Sequence, residues 1–189
     1  MTAPRVYLAG PDVFAPDAVT RGQALCRLCA DHGLTGLFPL DNEITVPEGS
    51  PGPALGHAIY RANLDMMAAA DACIANLSPF RGPNADDGTA FEVGWMIARG
   101  KPVFGYSDDA RLLAARSAVP GRFDPDGRTL DADGWWVEDM GWPANLMLVA
   151  GIEASGGVFV APATGDSDGP RDAFISALRA AARHLLAKA

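Results

Sequence analysis

Positive charge is scarce in this chain. Fifteen lysines and arginines stand against 23 aspartates and glutamates, a formal net charge of −8. Binding a polynucleotide requires a basic face to neutralise phosphates, so a nucleic acid polymer is excluded as a partner. Histidine is equally sparse. His32, His57 and His184 are scattered, and no metal site is expected from them. There is no run of ~18 apolar residues, which argues against a membrane span. The opening MTAPRVYLAG has no signal-peptide layout. Three cysteines, an odd number, fit reduced thiols and a cytoplasmic location. Cys26 and Cys29 form a C-x-x-C, but it lies inside a helical pattern and lacks a second pair for zinc, so both read as buried helix thiols. Neither G-x-G-x-x-G nor a P-loop pattern occurs, so dinucleotide binding and ATP hydrolysis lack support. No cofactor is expected. No internal repeat or low-complexity tract is visible.

What is present is apolar sequence in short, punctuated runs. With 49% hydrophobic residues among 189, the chain can bury a real core. It reads as one domain, 1–189. Strands are predicted over Arg5–Ala9, Leu34–Phe38, Ala72–Leu77, Pro102–Tyr106 and Gly157–Ala161. Helices are predicted over Pro16–Asp31, Ala54–Ala70, Asp87–Arg99, Ser107–Ala118, Ala144–Ala154 and Arg171–Lys188. Val19, Leu25 and Leu28 mark the inner side of the first helix, and Leu55, Ile59, Leu64 and Met67 that of the second. Ser50 is a plausible cap of the second helix, with Pro51 just inside. Strands alternating with helices give an open, doubly wound parallel sheet. The loop Pro39–Gly52 is long enough to cover a site. Residues 119–143 carry Trp135, Trp136 and Trp142 among many glycines, prolines and aspartates. That much aromatic area predicts an ordered excursion. Asp124, Asp126, Asp131 and Asp133 fail the spacing of a calcium loop.

The chain is organised around residues 71–106, a strand, a loop, a helix and a strand. Asp86 is placed to cap that helix. From Thr89 to Ala98 the helix is apolar or small apart from Thr89 and Glu92. A carboxylate among Phe91, Val93, Trp95, Met96 and Ile97 loses hydration unless it is paired. It also stands where a strand of an open α/β sheet has ended, which is where ligands dock. Glu92 is therefore a candidate nucleophile or acid/base, although a solvated helix glutamate is the commoner case. Tyr7 closes the first strand and would face the same crevice.

Three stretches together resemble the nucleoside 2-deoxyribosyltransferase family. They are the opening YLAGP with Tyr7, the D-x-G-T-x-x-E of Asp86–Glu92 after SPFRGPNA, and Asn145-Leu146-Met147 after VEDMG. The resemblance covers Val6 to about Ile152. It implies a flavodoxin-like five-stranded parallel sheet, order 2-1-3-4-5, with helices on both faces. It implies that Glu92 is the nucleophile, that Tyr7 orients it and that Asp86 contacts deoxyribose or base. Gly10, Pro11, Asp12, Phe14 and Gly88 would bind substrate. Asn145 and Met147 would be lent by a neighbouring subunit of a homodimer or larger homo-oligomer. The implied partners are deoxynucleosides and free nucleobases. Asn63 stands where bacterial members carry a base-contacting aspartate. An amide cannot donate a carboxylic proton, and this departure leans toward purines. Phe14, Trp95 and Trp135 are aromatics available to stack on a base. Two alternatives stay open: an N-glycosidase hydrolysing deoxynucleosides or nucleoside monophosphates, with Arg81 and Ser78 read as phosphate contacts, and an inactive nucleotide-ligand binder.

Overall fold

The computed structural model describes residues 2–42, 44, 49, 52–162 and 170–187. Among these, five parallel strands form one sheet: β1 (Arg5–Ala9), β2 (Thr35–Leu37), β3 (Ala72–Asn76), β4 (Val103–Tyr106) and β5 (Val158–Val160). Their order is β2-β1-β3-β4-β5, the arrangement the family resemblance implies. Tyr7 stands level with Leu37 on one side and Cys73 on the other. Asn76 is level with Tyr106, and Tyr106 with Val160.

Both faces of the sheet are covered. Helices α1 (Ala18–Asp31) and α6 (Pro170–Leu186) lie on one face, against Val6, Leu8, Ile74, Phe104 and Tyr106. Helices α2 (Gly52–Ala69), α3 (Asp87–Ala98) and α5 (Leu146–Ala154) lie on the other, against Tyr7, Ala9, Cys73, Ala75 and Val103. Alternate strand residues thus serve two cores. That is why β1 and β3 read as continuous apolar runs rather than as half-polar strands. The period of two also decides the site, because it turns Tyr7 toward the α2/α3 face.

Helix ends follow local chemistry. Asp86 caps α3 by accepting from Thr89 N at 2.9 Å. Gly100, at φ 70, ends it in the left-handed region that a glycine enters without a Cβ clash. Lys101 Nζ donates to the carbonyls of Met67, Ala68 and Ala70 at 2.9, 2.7 and 2.6 Å. A cation there satisfies the carbonyl-rich end of α2.

Several boundaries differ from the sequence reading. Gly10-Pro11-Asp12 opens a 3-10 turn, Pro11–Phe14, and α1 starts at Ala18, after Pro16. Leu25 and Leu28 pack on the core, but Val19 is exposed. On α2 only the carboxyl half packs. Met67 is buried, whereas Leu55 and Ile59 are exposed because that end overhangs the strands. Ser107 does not cap a long helix. Its Oγ accepts from Asp109 N at 3.1 Å and Asp109 Oδ1 accepts from Arg111 N at 2.9 Å, two tight local turns. Helix α4 is therefore reduced to Leu113–Ser117. Ser50 and Pro51, together with most of the 43–51 loop, lie outside the described residues.

Residues 119–143 double back on themselves. Backbone bonds join Val119 N to Leu130 O and Val137 N to Thr129 O, each at 2.9 Å. The aspartates close turns. Asp124 Oδ1 accepts from Asp126 N at 3.0 Å and Arg128 N at 2.8 Å, and Asp131 Oδ1 accepts from Asp133 N at 2.9 Å and Trp135 N at 2.8 Å. Val137 is buried, while Trp135 and Trp136 face solvent.

Candidate active site

A cavity of about 330 Å³ opens beyond the carboxyl ends of β1 and β3. The chain leaves β1 toward β2 and β3 toward β4, so the strand order reverses there, and such a crevice is where open α/β sheets hold ligands. Four stretches of the chain wall it. The turn after β1 supplies Gly10, Val13 and Phe14, and the segment after β2 supplies Pro39, Leu40 and Asn42. The overhanging end of α2 brings Ile59 and Asn63, and the start of α3 brings Asp86, Gly88, Thr89 and Glu92. Glycine is required at position 10, since a Cβ there would stand 2.8 Å from the Asn76 Cβ. The wall is mostly apolar, and among the described residues its charged groups are Asp86 and Glu92, both acidic.

Glu92 does not stand alone. The Tyr7 hydroxyl donates to Glu92 Oε1 at 2.5 Å. Tyr7 is wholly buried beneath the cavity floor, held between β2 and β3. Burial pushes the Glu92 carboxyl up to about 7, the Tyr7 bond pulls it back, and the charge of Asp86 adds a little in the upward direction. Burial and the neighbouring Glu92 push the phenol far above its ordinary range. The proton thus belongs to Tyr7 at every physiological pH. The Glu92 carboxyl, raised to about 7, changes charge near neutrality.

The remaining residues divide. Asp86 sits in the wall with Oδ2 already accepting from Thr89 N and from Thr89 Oγ1 at 3.1 Å. Asn63 reaches the cavity, and its Oδ1 accepts from Asn42 Nδ2 at 3.4 Å. Asn42 was missed in the sequence reading, where only its place in a long loop after β2 was visible. Phe14 stacks on Phe80 with ring centroids 5.4 Å apart, and the Arg81 guanidinium lies over both rings. Pro11 heads the turn without lining the cavity. Asp12 points to the other face, bonded to Asn76 Nδ2 at 2.8 Å and to Arg21 Nη1 at 3.2 Å. Trp95 packs in the core with Arg99 over its ring, and Trp135 is 74% exposed, so neither lines the cavity. Asn145 and Met147 are also outside it. Asn145 caps α5 and donates to Glu138 Oε2 at 3.2 Å, and Met147 is 73% exposed.

The fold and this crevice define a flavodoxin-like α/β protein with a buried tyrosine–glutamate pair at its switch point. A family model described as nucleoside 2-deoxyribosyltransferase matches residues 6–147, and the chain belongs to that family. The family is one of glycosyl-transfer enzymes. An uncharacterised protein of Schizosaccharomyces pombe is 37% identical over 84% of this chain and 81% of its own length. A 2-deoxyribosyltransferase from Leishmania mexicana is 31% identical, with a TM-score of 0.62 over 93% of this chain and 97% of that one. A CMP N-glycosidase from Clostridium botulinum shares the fold at 14% identity and a TM-score of 0.50, over 92% of this chain and 97% of that one. No helix among the described residues is long and apolar enough to cross a membrane.

Proposed function

We propose that the chain transfers 2-deoxyribose between nucleobases, with Glu92 as the nucleophile. The observation that carries this is the Tyr7–Glu92 hydrogen bond at 2.5 Å, set in a largely apolar cavity. A carboxylate attacking an anomeric carbon must be anionic, oriented and only thinly hydrated, and the pair supplies all three conditions. Ionised Glu92 attacks C1′ from the face opposite the base. The C1′–N bond breaks, its electron pair leaves with the base, which takes up a proton from solvent, and a deoxyribosyl-glutamate ester forms. A second base then attacks C1′, gives up its ring N–H proton to solvent and releases the carboxylate. Two inversions give net retention, as in retaining glycosidases with water replaced by a base. The positive charge that develops on the sugar is stabilised by Glu92 and by Asp86, which is fixed to its cap. A 2′-hydroxyl would withdraw electrons from that cation, so 2′-deoxy sugars are the better donors.

Asn63, in the cavity wall and bonded to Asn42, is suited to a base edge carrying both donors and acceptors. We assign the enzyme a purine preference on the family resemblance at Asn63, because pyrimidine edges also carry donors and acceptors and the amide alone does not choose between them. No lysine, arginine or histidine lines the cavity among the described residues. A nucleoside monophosphate would bring its phosphate beside two acids, which disfavours the monophosphate hydrolase reading. Hydrolysis of unphosphorylated deoxynucleosides uses the same Glu92 with water as acceptor, and only the acceptor distinguishes it.

Incubating deoxyinosine with and without adenine tests the reading. Transfer yields deoxyadenosine and releases hypoxanthine only when adenine is present. Hypoxanthine release at the same rate without adenine would make the protein a hydrolase. Binding without turnover would make it a nucleoside binder.

The assembly belongs to the same proposal. Ile59, Tyr60 and Phe91 are 40%, 50% and 49% exposed beside the cavity, with the rings of Tyr60 and Phe91 6.0 Å apart. A second copy covering this patch would bring its Asn145 and Met147 to the cavity that lacks them. Sedimentation should show a dimer or larger species, and a fully active monomer would remove the shared site.

A further inference from the structure

Two asparagines meet in the cavity wall, Asn42 from the segment after β2 and Asn63 from α2. An asparagine amide by itself can meet a nucleobase with either end, because one end accepts and the other donates. The contacts around this pair remove that choice.

The orientation is set from outside the pair. Asn42 Nδ2 donates to the Pro39 carbonyl at 3.4 Å. A carbonyl oxygen can only accept, so the end of Asn42 that meets it is the NH2 group. The second N–H of the same Nδ2 goes to Asn63 Oδ1, also at 3.4 Å. Asn63 therefore turns its oxygen to Asn42. Its own Nδ2 has no hydrogen-bond partner among the described residues. Nor is that nitrogen sealed in protein. Among the described residues, the one buried side-chain oxygen or nitrogen without a partner is Asp108 Oδ1.

The rest of the wall offers no competing side-chain donor. Thr89 Oγ1 already donates to Asp86, at 3.1 Å. Ionised Asp86 and Glu92 can only accept. The remaining lining residues are apolar or glycine. Among the described residues, the two N–H groups of Asn63 Nδ2 are thus the side-chain donors left for a ligand.

We propose that Asn42 is a positioning residue that fixes Asn63 as a donor, so that the site prefers purines with an oxygen at carbon 6 over purines with an amino group there. Both edges of a purine that lie away from the sugar include the substituent at carbon 6. In a 6-oxopurine that atom accepts from Asn63 Nδ2. In a 6-aminopurine it brings a second NH2 group against the first, and a donor stays unpaired. An unrestrained asparagine takes the amino group on its oxygen, as in its paired contact with adenine. Held by Asn42, Asn63 does not. This selectivity deepens the transfer reading and rests on it for the identity of the ligand as a nucleobase.

Calorimetric titration of the full chain with free hypoxanthine and free adenine tests the selectivity without requiring turnover. Hypoxanthine is expected to bind about tenfold more tightly than adenine, the effect of one hydrogen bond gained against one donor left unpaired. Asn42→Ala releases the Asn63 amide, and the ratio should fall to about threefold or less. Asn42→Asp puts an acceptor where the donor was. Asn63 then gives its Nδ2 to that carboxylate and turns its oxygen to the base, so adenine should become the tighter ligand. A merely structural Asn42 would weaken both bases alike and leave the ratio unchanged. Two variants are used so that one failing to fold leaves the other to decide. The proposal is overturned by equal binding of the two bases to the wild type, by binding of neither, or by an unchanged ratio in either folded variant. Exchange from deoxyguanosine to the same two bases separates its failure from that of the transfer reading. A protein that discriminates the bases through Asn42 without exchanging them loses the transfer and keeps the selectivity. One that exchanges both bases alike, and binds them alike, keeps the transfer and loses the selectivity.

Discussion

Two acids at the carboxyl edge of one sheet are pushed upward by burial, Glu92 to about 7 and Asp108 to about 6. They end in opposite situations. Glu92, in the cavity wall, accepts a hydrogen bond from Tyr7 on the strand beneath it. Asp108 keeps its Oδ1 buried with no hydrogen-bond partner among the described residues. Desolvation alone therefore does not make a reactive group. It raises the cost of the charge on both sides of the sheet, and the side chain placed opposite the carboxylate decides what that cost does. Tyr7 bonds the Glu92 carboxyl at the cavity, whereas the buried Asp108 Oδ1 meets no such donor among the described residues.

The widest separation of the two acids comes from Glu92→Ala. It should lower base exchange by 10³-fold or more, about 4 kcal/mol of barrier, with the fold retained. Turnover measured with deoxyinosine and adenine checks this, and a variant keeping a tenth of wild-type rate removes Glu92 from the chemistry. Next is Tyr7→Phe, which leaves the carboxylate but deletes its donor. The expected loss is about 1–3 kcal/mol in kcat/KM, the value of a hydrogen bond to a charged group. The pH profile should move as well. In the wild type kcat/KM rises as Glu92 ionises, levelling above about pH 7. Without the tyrosine bond, which lowers that value, the rise shifts to higher pH. An unmoved profile would reduce Tyr7 to packing.

Stability gives a third contrast, through the direction of the shift. Glu92 has a folded value of about 7 against an ordinary 4.5, so the native state favours the protonated acid. Below the ordinary value the charge costs nothing. As pH rises from about 4.5 to about 7 the wild type loses stability, and the loss is complete above that window. Glu92→Gln should therefore be the more stable protein at pH 8, by about 1–3 kcal/mol, with the difference fading by pH 4. Denaturant titration at both pH values measures it, and a pH-independent difference would contradict the buried-charge account. Asp108→Asn should show the same sign over a window from about 3.8 to about 6. After allowance for solvent screening its size is about 1 kcal/mol or less. A destabilised Asp108→Asn would mean that its oxygen is satisfied after all.

Much of the site was legible because it obeys local rules. Glu92 stood out as a lone carboxylate on an otherwise apolar turn of helix. Asp86 was placed as a cap by its position ahead of Gly88-Thr89, and it accepts from Thr89 N. Asp12 and Asn42 were not readable in that way. Asp12 follows Gly10-Pro11 in a segment whose neighbours Val13 and Phe14 do reach the cavity. The 3-10 winding of four residues turns it to the opposite face instead, where Asn76 and Arg21 hold it. Asn42 depends on where a loop after β2 returns, and no periodicity encodes that. Ser107 was read as a helix cap because serine does that work in many proteins. Here its hydroxyl closes a turn with Asp109 instead.

By itself the order of residues determined the alternation of strand and helix, the parallel sheet that follows from it, and the isolation of one carboxylate among apolar neighbours. These are local properties of spacing and side-chain type. Tertiary structure alone decided that a phenol 85 positions away would meet that carboxylate, since the contact requires α3 to pack on the face of the open sheet to which β1 turns Tyr7. It also decided that Asp12 and Asp108 would crowd the opposite face. Distances between groups far apart in sequence are set by how layers pack, and packing is a property of the whole chain.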